Sequence, residues 1–167
     1  MLDIEQLVRN PLSHTENLTI INKSTKAVPL RLNSIQKDFA ASMTRRDIVL
    51  KSRQVGISTL ILARFYLEAL TTPNLVCVVI SHEDEATRKL FEKVKVFHQY
   101  FEQTCTEQGV ERPTLFHNSA NEMSFPKMGS TIYIGTAGKR AFGRGQTLHR
   151  VHCSEVGFWP EDRAEGL

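Results

Sequence analysis

The run Leu75-Val-Cys-Val-Val-Ile80 decides the fold of this chain. It is an uninterrupted apolar stretch in which three residues are valine and one is isoleucine. β-Branched residues favour strands, and an apolar run of this length is typical of a strand buried on both faces. Such strands belong to parallel sheets that helices cover. The run therefore predicts an α/β domain built on a mainly parallel sheet.

Helical patterns lie on both sides of this strand. Upstream, residues 57–70 are apolar almost all round, as in a buried helix. Downstream, apolar residues keep helical spacing to about Gln108, and Gly109 can end the helix. Ser81 offers this second helix an N-cap. A strand between two helices predicts the crossover connections of a parallel sheet.

The N-terminal part predicts a lead-in and one further helix. Residues 1–32 begin with a short helix and continue as an extended stretch in which Pro29 disfavours a central strand. A helix over residues 33–44 is predicted by its apolar spacing and by a capping box between Asn33 and Gln36. We therefore divide the chain into this lead-in and one α/β domain over residues 33–167.

Further strands are predicted around the central run. Asp47–Leu50 is a short β-rich segment just before the upstream helix, and we expect it to be a buried strand. Residues 122–125 and 130–135 predict a hairpin, and residues 148–153 predict a last strand. The element order favours a three-layer α/β sandwich, and we expect its sheet to be incomplete after the last strand.

Composition excludes several classes of protein. With 167 residues, 41% hydrophobic and 23% charged, the chain has the size and balance of one globular domain. No apolar run approaches the roughly 20 residues of a membrane helix, and no secretory signal is visible. Cys77, Cys105 and Cys153 lack metal-ligand spacing, which argues against a zinc site or a disulfide scaffold and favours a cytoplasmic location.

Positive charge is concentrated near the C-terminal third. No acidic residue lies between Met123 and Ser154, and a polyanion such as a phosphate group would be attracted there. The alternative is that acids elsewhere in the fold balance this strip. The basic residues of the strip are Lys127, Lys139, Arg140, Arg144 and Arg150.

The segment Lys51-Ser-Arg-Gln-Val-Gly-Ile-Ser-Thr59 is the main candidate for chemistry. A loop that leads into a helix N-terminus directs backbone N–H groups and the helix dipole at one point, as in nucleotide-binding loops. Gly56 allows close approach of a phosphate, and Ser58 stands where a hydroxyl can ligate Mg²⁺. The strict pattern GxxxxGK[ST] fails at Lys51 and Ile57, and Lys51 can supply the ammonium that Ile57 cannot. The alternative is a basic turn with Ile57 in the core.

Two more segments carry candidate residues. Ser154 and Glu155 follow the last predicted strand, where Glu155 can orient or deprotonate water and Ser154 can reach a metal weakly or through water. Arg144 lies between two glycines and can be presented to an anion. Taken singly, each has a plain alternative: a solvated surface glutamate and a flexible basic loop.

The order of these segments resembles the N-terminal ATPase region of the large terminase subunit of tailed bacteriophages. The family's nucleotide loop reads Ser-Arg-Gln-x-Gly before its helix, and Ser52-Arg-Gln-Val-Gly56 matches it. A subset of the family carries its lysine at the start of the loop, as at Lys51, with a hydrophobic residue at the usual lysine position, as at Ile57.

Three further segments extend the resemblance over roughly residues 30 to 160. Leu32-Asn-Ser-Ile-Gln36 resembles the family's adenine-contacting glutamine segment. Arg144-Gly145 matches an Arg-Gly pair that precedes the acidic strand, and Ser154-Glu155-Val-Gly-Phe158 resembles the acidic motif itself.

The resemblance implies a three-layer αβα sandwich of the P-loop NTPase type, truncated after the acidic strand and without the family's nuclease domain. It implies ATP hydrolysis that drives duplex DNA into a procapsid, with ATP and Mg²⁺ as cofactors. Implied partners are duplex DNA, the small terminase subunit, the portal and further copies in a ring, with no membrane involved. The implied location is the cytoplasm of the bacterial host.

The resemblance also implies roles for single residues. Lys51 would contact the β- and γ-phosphates, Glu155 would position water, and Arg144 would stabilise developing charge in its own or a neighbouring subunit. Gln36 would read the adenine, and Ser58 and Ser154 would serve the metal. The implied ATP-binding residues are Gln36, Lys51, Ser52, Arg53, Gln54, Val55, Gly56, Ile57, Ser58 and Thr59.

The chain departs from the family pattern in ways that leave alternatives open. Ser154 stands where the family has aspartate, and the coupling motif that follows the acidic strand is missing. One alternative is a catalytically inactive prophage remnant, or a module that binds nucleotide or DNA without turnover. Another is a helicase-like P-loop protein outside DNA packaging.

Overall fold

The computed structural model describes residues 2–52, 54–137 and 147–159. Its elements alternate between helix and strand over the middle of the chain, as the sequence predicts. The helices are α1 (Ile4–Arg9), α2 (Ser34–Ser42), α3 (Ile57–Thr71) and α4 (Asp84–Glu107), and single 3₁₀ segments cover Pro11–Asn17 and Val156–Phe158. The strands are β1 (Thr19–Ile21), β2 (Ala27–Pro29), β3 (Val76–Ser81), β4 (His117–Asn118), β5 (Glu122–Phe125), β6 (Ser130–Thr136) and β7 (Arg150–Cys153).

The central sheet has the strand order β4-β5-β6-β3-β7. β3 lies between β6 and β7 and is parallel to both, with Val79 opposite Ile134 on one side and His152 on the other. The predicted hairpin is present as β5 and β6, which pair antiparallel, and β4 adds a short outer strand. The prediction of an α/β domain with a parallel strand over the central apolar run is confirmed.

The two faces of β3 carry different parts of the core. Cys77 and Val79 belong to the larger cluster, which α3 and α4 build with the sheet. Val78 and Ile80 point the other way, into a smaller cluster with Trp159. The architecture is therefore mixed α/β with a parallel centre, and it is compatible with an αβα sandwich.

The lead-in packs into the same larger core. Leu7 of α1, Leu18 and Leu30 are buried with the side chains of α3 and α4. β1 and β2 form a separate antiparallel pair, and Pro29 lies at its end, away from the central sheet. No helix in the described ranges is long and apolar enough to cross a membrane.

The predicted strand at Asp47–Leu50 is wrong. These residues form no regular structure, and the side chains of Ile48 and Leu50 are fully exposed. A strand is stable only where neighbouring strands take up its backbone hydrogen bonds. Within the described residues β7 pairs only with β3, and Asp47–Leu50 pairs with nothing. A local β preference over four residues does not replace that partner.

The helix boundaries follow the sequence signals with one exception. The capping box of Asn33 and Gln36 starts α2, and Gly109 adopts a positive φ of 67° just after α4, as predicted. Ser81 is not the N-cap of α4, because it pairs with Thr136 as the last residue of β3. The cap position falls to Glu83, whose side chain makes no capping hydrogen bond.

Candidate functional site

The loop before α3 ends in a left-handed turn. Gly56 has φ +84° and is the N-cap residue of α3, and no side chain of the described residues caps this helix end. The first N–H groups of a helix have no intrahelical acceptor, so their partial positive charge is directed at the space above the loop. Such a helix end is suited to bind an anion.

Hydrogen bonds from the start of α2 hold this loop in place. The Gln36 amide Nε2 donates to the Gly56 carbonyl at 2.8 Å, and the Gln36 Oε1 accepts from the Asn33 N–H at 3.0 Å. The Asn33 Nδ2 donates to the Val55 carbonyl at 3.3 Å. Gln36, predicted to contact adenine, is buried and engages both ends of its amide within the protein. Its adenine contact stays a prediction.

Gly56 is required by space as well as by φ. A Cβ at this position would lie 2.8 Å from the Gln36 Nε2. The same backbone conformation is rare for residues with side chains. A side chain at residue 56 would therefore be strained by the backbone conformation and would displace the Gln36 amide from its hydrogen bond.

Three polar side chains meet at the first turn of α3. The Ser58 Oγ in the first turn of α3 lies 3.5 Å from the Ser154 Oγ and 3.3 Å from the His152 Nε2. Residues 152 and 154 share one side of their extended segment, because side chains alternate along a strand. The structure thus brings together both residues predicted to serve a metal and adds His152, which the sequence analysis did not single out.

His152 carries a strongly shifted acid–base equilibrium. Burial, assisted by the positive charge of Lys51, lowers the pKa of His152 to about 4. The imidazole is therefore neutral at physiological pH. The positive charge of Lys51 therefore acts on His152, although the Lys51 side chain is exposed.

Glu155 lies beside a histidine from the neighbouring strand end. Its Oε2 is 3.1 Å from the Nδ1 of His82, which directly follows β3. This is an ion-pair distance, but the Nδ1 is not aligned for a hydrogen bond and has no hydrogen-bond partner among the described residues. Phe158 packs against the same ring with centroids 5.8 Å apart. His82 and Glu155 therefore lie next to each other where β3 and β7 end.

Glu155 also has an uncommon backbone conformation. Its φ of 56° and ψ of 43° place a non-glycine residue in the left-handed region. Such conformations cost roughly 1–3 kcal/mol and persist where the surrounding structure holds them. Glu155 is also the residue before the 3₁₀ segment Val156–Phe158.

The other residues predicted to serve the site are engaged within the fold, are exposed, or lie outside the described residues. Ile57 is buried, as the alternative interpretation of the loop expected, and Thr59 accepts a hydrogen bond from the Lys93 Nζ at 3.1 Å. The side chains of Ser52 and Gln54 are exposed. Two predicted residues, Arg53 and Arg144, lie outside the described residues.

The basic strip is partly balanced by acids from other elements. Lys127 pairs with Glu111, and the Arg150 Nε donates to the buried Glu68 carboxylate at 2.8 Å. Arg64 binds the other oxygen of Glu68, also at 2.8 Å. Two members of the strip are thus engaged within the fold, and the other three lie outside the described residues.

The donor set under the loop is a poor match for Mg²⁺. Magnesium prefers oxygen ligands, among them carboxylates. Among the described residues no carboxylate hydrogen-bonds to Ser58, His152 or Ser154, and no group of three or more His, Cys, Asp and Glu side chains is suited to hold a metal. The site offers two neutral hydroxyls and one imidazole.

Comparison with known proteins gives no assignment. No protein-family model matches the chain, and no curated protein is significantly similar to it. The resemblance to terminases therefore rests on the quoted motifs alone.

Two residues of the site were missed from the sequence, although each carried a signal. His82 is a polar residue directly after a buried parallel strand, where site residues of α/β folds gather. His152 stands two residues before Ser154, so strand alternation places both on one side. Neither pattern is specific without the strand order that makes β3 and β7 neighbours.

Proposed function

We propose that this chain is the ATP-binding part of a DNA-packaging motor of the large terminase type. The observation that carries the proposal is the loop before α3, which ends in a glycine N-cap and an uncapped helix end, with Ser58 in the first turn of that helix. A triphosphate is the ligand class for which such a helix end and a nearby ammonium are suited. The order of the motifs along the chain supports the family resemblance, and β7, which leads to Ser154 and Glu155, pairs with β3.

In this proposal each residue has a defined role. The N–H groups of the first turn of α3 bind phosphate oxygens, and Lys51 balances the charge of the β- and γ-phosphates. Glu155 orients the attacking water, and its Oε2 lies 3.1 Å from the His82 Nδ1. Arg144 stabilises the charge that develops on the phosphoryl group. Arginines in this role contribute roughly 10³–10⁵ in rate in other phosphoryl-transfer enzymes.

Calorimetric titration with a non-hydrolysable ATP analogue tests the binding step. We expect the wild type to bind and Lys51→Ala to bind at least about tenfold more weakly, because the variant lacks the ammonium that balances the phosphate charge. A tenfold loss corresponds to about 1.4 kcal/mol. Lys37→Ala is the matched control, since Lys37 is an exposed lysine on α2. Equal affinity of the wild type and Lys51→Ala would refute the role of Lys51, and no binding by the wild type would refute the proposal.

A second candidate function is nucleotide binding without turnover. It is favoured by Ser154, which replaces the family's aspartate, and by the unpaired segment Asp47–Leu50 at the base of the loop. Steady-state ATP hydrolysis at high protein concentration, with and without duplex DNA, separates the two. Hydrolysis that Glu155→Gln abolishes without loss of binding supports the motor, and binding without hydrolysis supports the second candidate.

A further inference from the structure

A cavity lies beside the first turn of α3, between that helix, α4 and β1. Its volume is about 270 Å³, and it is lined by all three residues of β1, by Thr59 of α3 and by one face of α4 from Lys89 to Phe97. Thr59 is the third residue of α3, about 4.5 Å along the helix axis from Gly56. The cavity therefore adjoins the helix end to which the proposed function assigns the phosphates.

The walls of this cavity suit a planar ring. Most of the lining surface is apolar, and Ile20 of β1 and Val96 of α4 contribute to it from opposite elements. Binding sites for small molecules combine such walls with a few polar groups, and their volumes are typically about 300–1,000 Å³. The cavity is therefore of a size for one ring system and too small for a whole nucleotide.

Lys93 is the charged residue of the lining that has no acidic partner among the described residues. The other two, both exposed, form ion pairs with neighbours along α4. The Lys93 Nζ donates to the Thr59 Oγ1 at 3.1 Å, so the amine lies against the first turn of α3. Burial of part of the side chain lowers the pKa of Lys93, and no carboxylate offsets this effect. An anionic group next to Lys93 would supply the missing charge.

The Gln36 amide, where the family resemblance places the base, is already engaged. Its Oε1 accepts from the Asn33 N–H at 3.0 Å, and its Nε2 donates to the Gly56 carbonyl at 2.8 Å. Gln36 is also buried, with 4% of its surface exposed. A base that paired with this amide would have to break one of the two bonds, whereas a base in the cavity would break neither.

We propose that the base of the nucleotide binds in the cavity between β1, α3 and α4, and that Lys93 contacts the phosphate nearest the sugar. The inference rests on the proposed nucleotide-binding function and names the part of the chain that holds the nucleoside. The triphosphate then extends from the cavity to the uncapped end of α3, and Lys93 stands between the two.

Photoaffinity labelling with 8-azido-ATP locates the base directly, because the azido group is attached to the purine ring. We expect the label on β1 or on α4 between Lys89 and Phe97, and excess ATP should suppress it. A label on α2 that ATP suppresses would place the base at Gln36 and overturn the inference.

Calorimetric titration separates the base from the phosphates. Val96→Trp places a larger side chain in the cavity at a partly buried position, and it should bind the non-hydrolysable ATP analogue at least about tenfold more weakly. Its affinity for inorganic tripolyphosphate, which has no base, should stay unchanged. Gln103→Trp, an exposed position of α4 outside the lining, is the matched control and should change neither affinity. Thermal unfolding confirms that both variants are folded.

The contact of Lys93 has its own test. Lys93→Met keeps the length of the side chain without its charge, and we expect about tenfold weaker binding of the analogue. Equal affinity of the wild type and Lys93→Met would refute this contact.

The outcomes distinguish this inference from the function on which it rests. Equal losses for the analogue and tripolyphosphate in Val96→Trp, or no loss for either, overturn the assignment of the base and leave the proposed function standing. No binding of the analogue by the wild type overturns both.

Discussion

Two stretches of this chain that are rich in apolar, β-branched residues differ in burial and in strand pairing. The run that became β3 is buried and hydrogen-bonded to a parallel strand on each side. Asp47–Leu50 has the same local preference, yet it is exposed and unpaired. The difference is the availability of partners, since β preference reflects the packing of a strand against its neighbours. β7 is intermediate, because it pairs on one side and Val151 on it is half exposed.

The sharpest way to break this comparison is to place a charge in each stretch. Val79→Asp puts a carboxylate at a fully buried position of β3, and we expect it to cost at least about 4 kcal/mol, enough to unfold a small domain. Ile48→Asp changes an exposed side chain and should leave stability unchanged. Urea unfolding followed by circular dichroism measures both. A comparable loss in Ile48→Asp would show that Asp47–Leu50 is packed in solution.

We expect the next largest loss of stability when the ion pairs that attach β7 to α3 are removed. Glu68 is buried and binds Arg64 and Arg150, so Glu68→Ala leaves two arginines without their partner. We expect a loss of about 2 kcal/mol, below the range for fully buried pairs because both arginines are partly exposed. The control is Glu85→Ala, which removes the exposed Glu85–Lys89 pair and should change nothing measurable. Equal effects of the two variants would contradict a structural role for Glu68.

Acid should weaken the fold through His152. Burial, with help from Lys51, lowers the pKa of His152 from 6.5 to about 4 in the folded state, so below pH 6.5 the unfolded chain binds a proton that the folded chain does not. The contribution is complete above pH 6.5 and is lost as the pH falls towards 4. We expect wild-type stability to drop about 1–2 kcal/mol more than that of His152→Gln between pH 7 and pH 5. Identical pH profiles in urea titrations would contradict this shift.

The smallest expected effect lies on the outer edge of β7. Val151→Thr replaces a half-exposed apolar side chain on a strand that pairs on one side only. We expect a loss below about 1 kcal/mol, since surface substitutions seldom exceed 0.5 kcal/mol and threonine keeps the β-branched shape. Thermal unfolding measures it. A loss close to that of Glu68→Ala would mean that this edge is covered in solution.

The sequence predicted the parts of the fold whose signals are local. The capping box of Asn33 and Gln36, the hairpin and the long apolar run all depend on residues close together in the chain. The failure at Asp47–Leu50 concerns a partner strand, and that information is not local. The site follows the same rule: Ser58 and Ser154 were found by motif, whereas His82 and His152 required the strand order.

The contact between Gln36 and Gly56 couples the position of α2 to that of the loop before α3. Two side-chain hydrogen bonds, from Gln36 to the Gly56 carbonyl and from Asn33 to the Val55 carbonyl, join the start of α2 to the loop. The loop cannot shift without breaking both bonds or carrying the helix with it. We therefore expect a ligand that displaces the loop either to break these bonds or to move the start of α2, a nine-residue helix about 13 Å long.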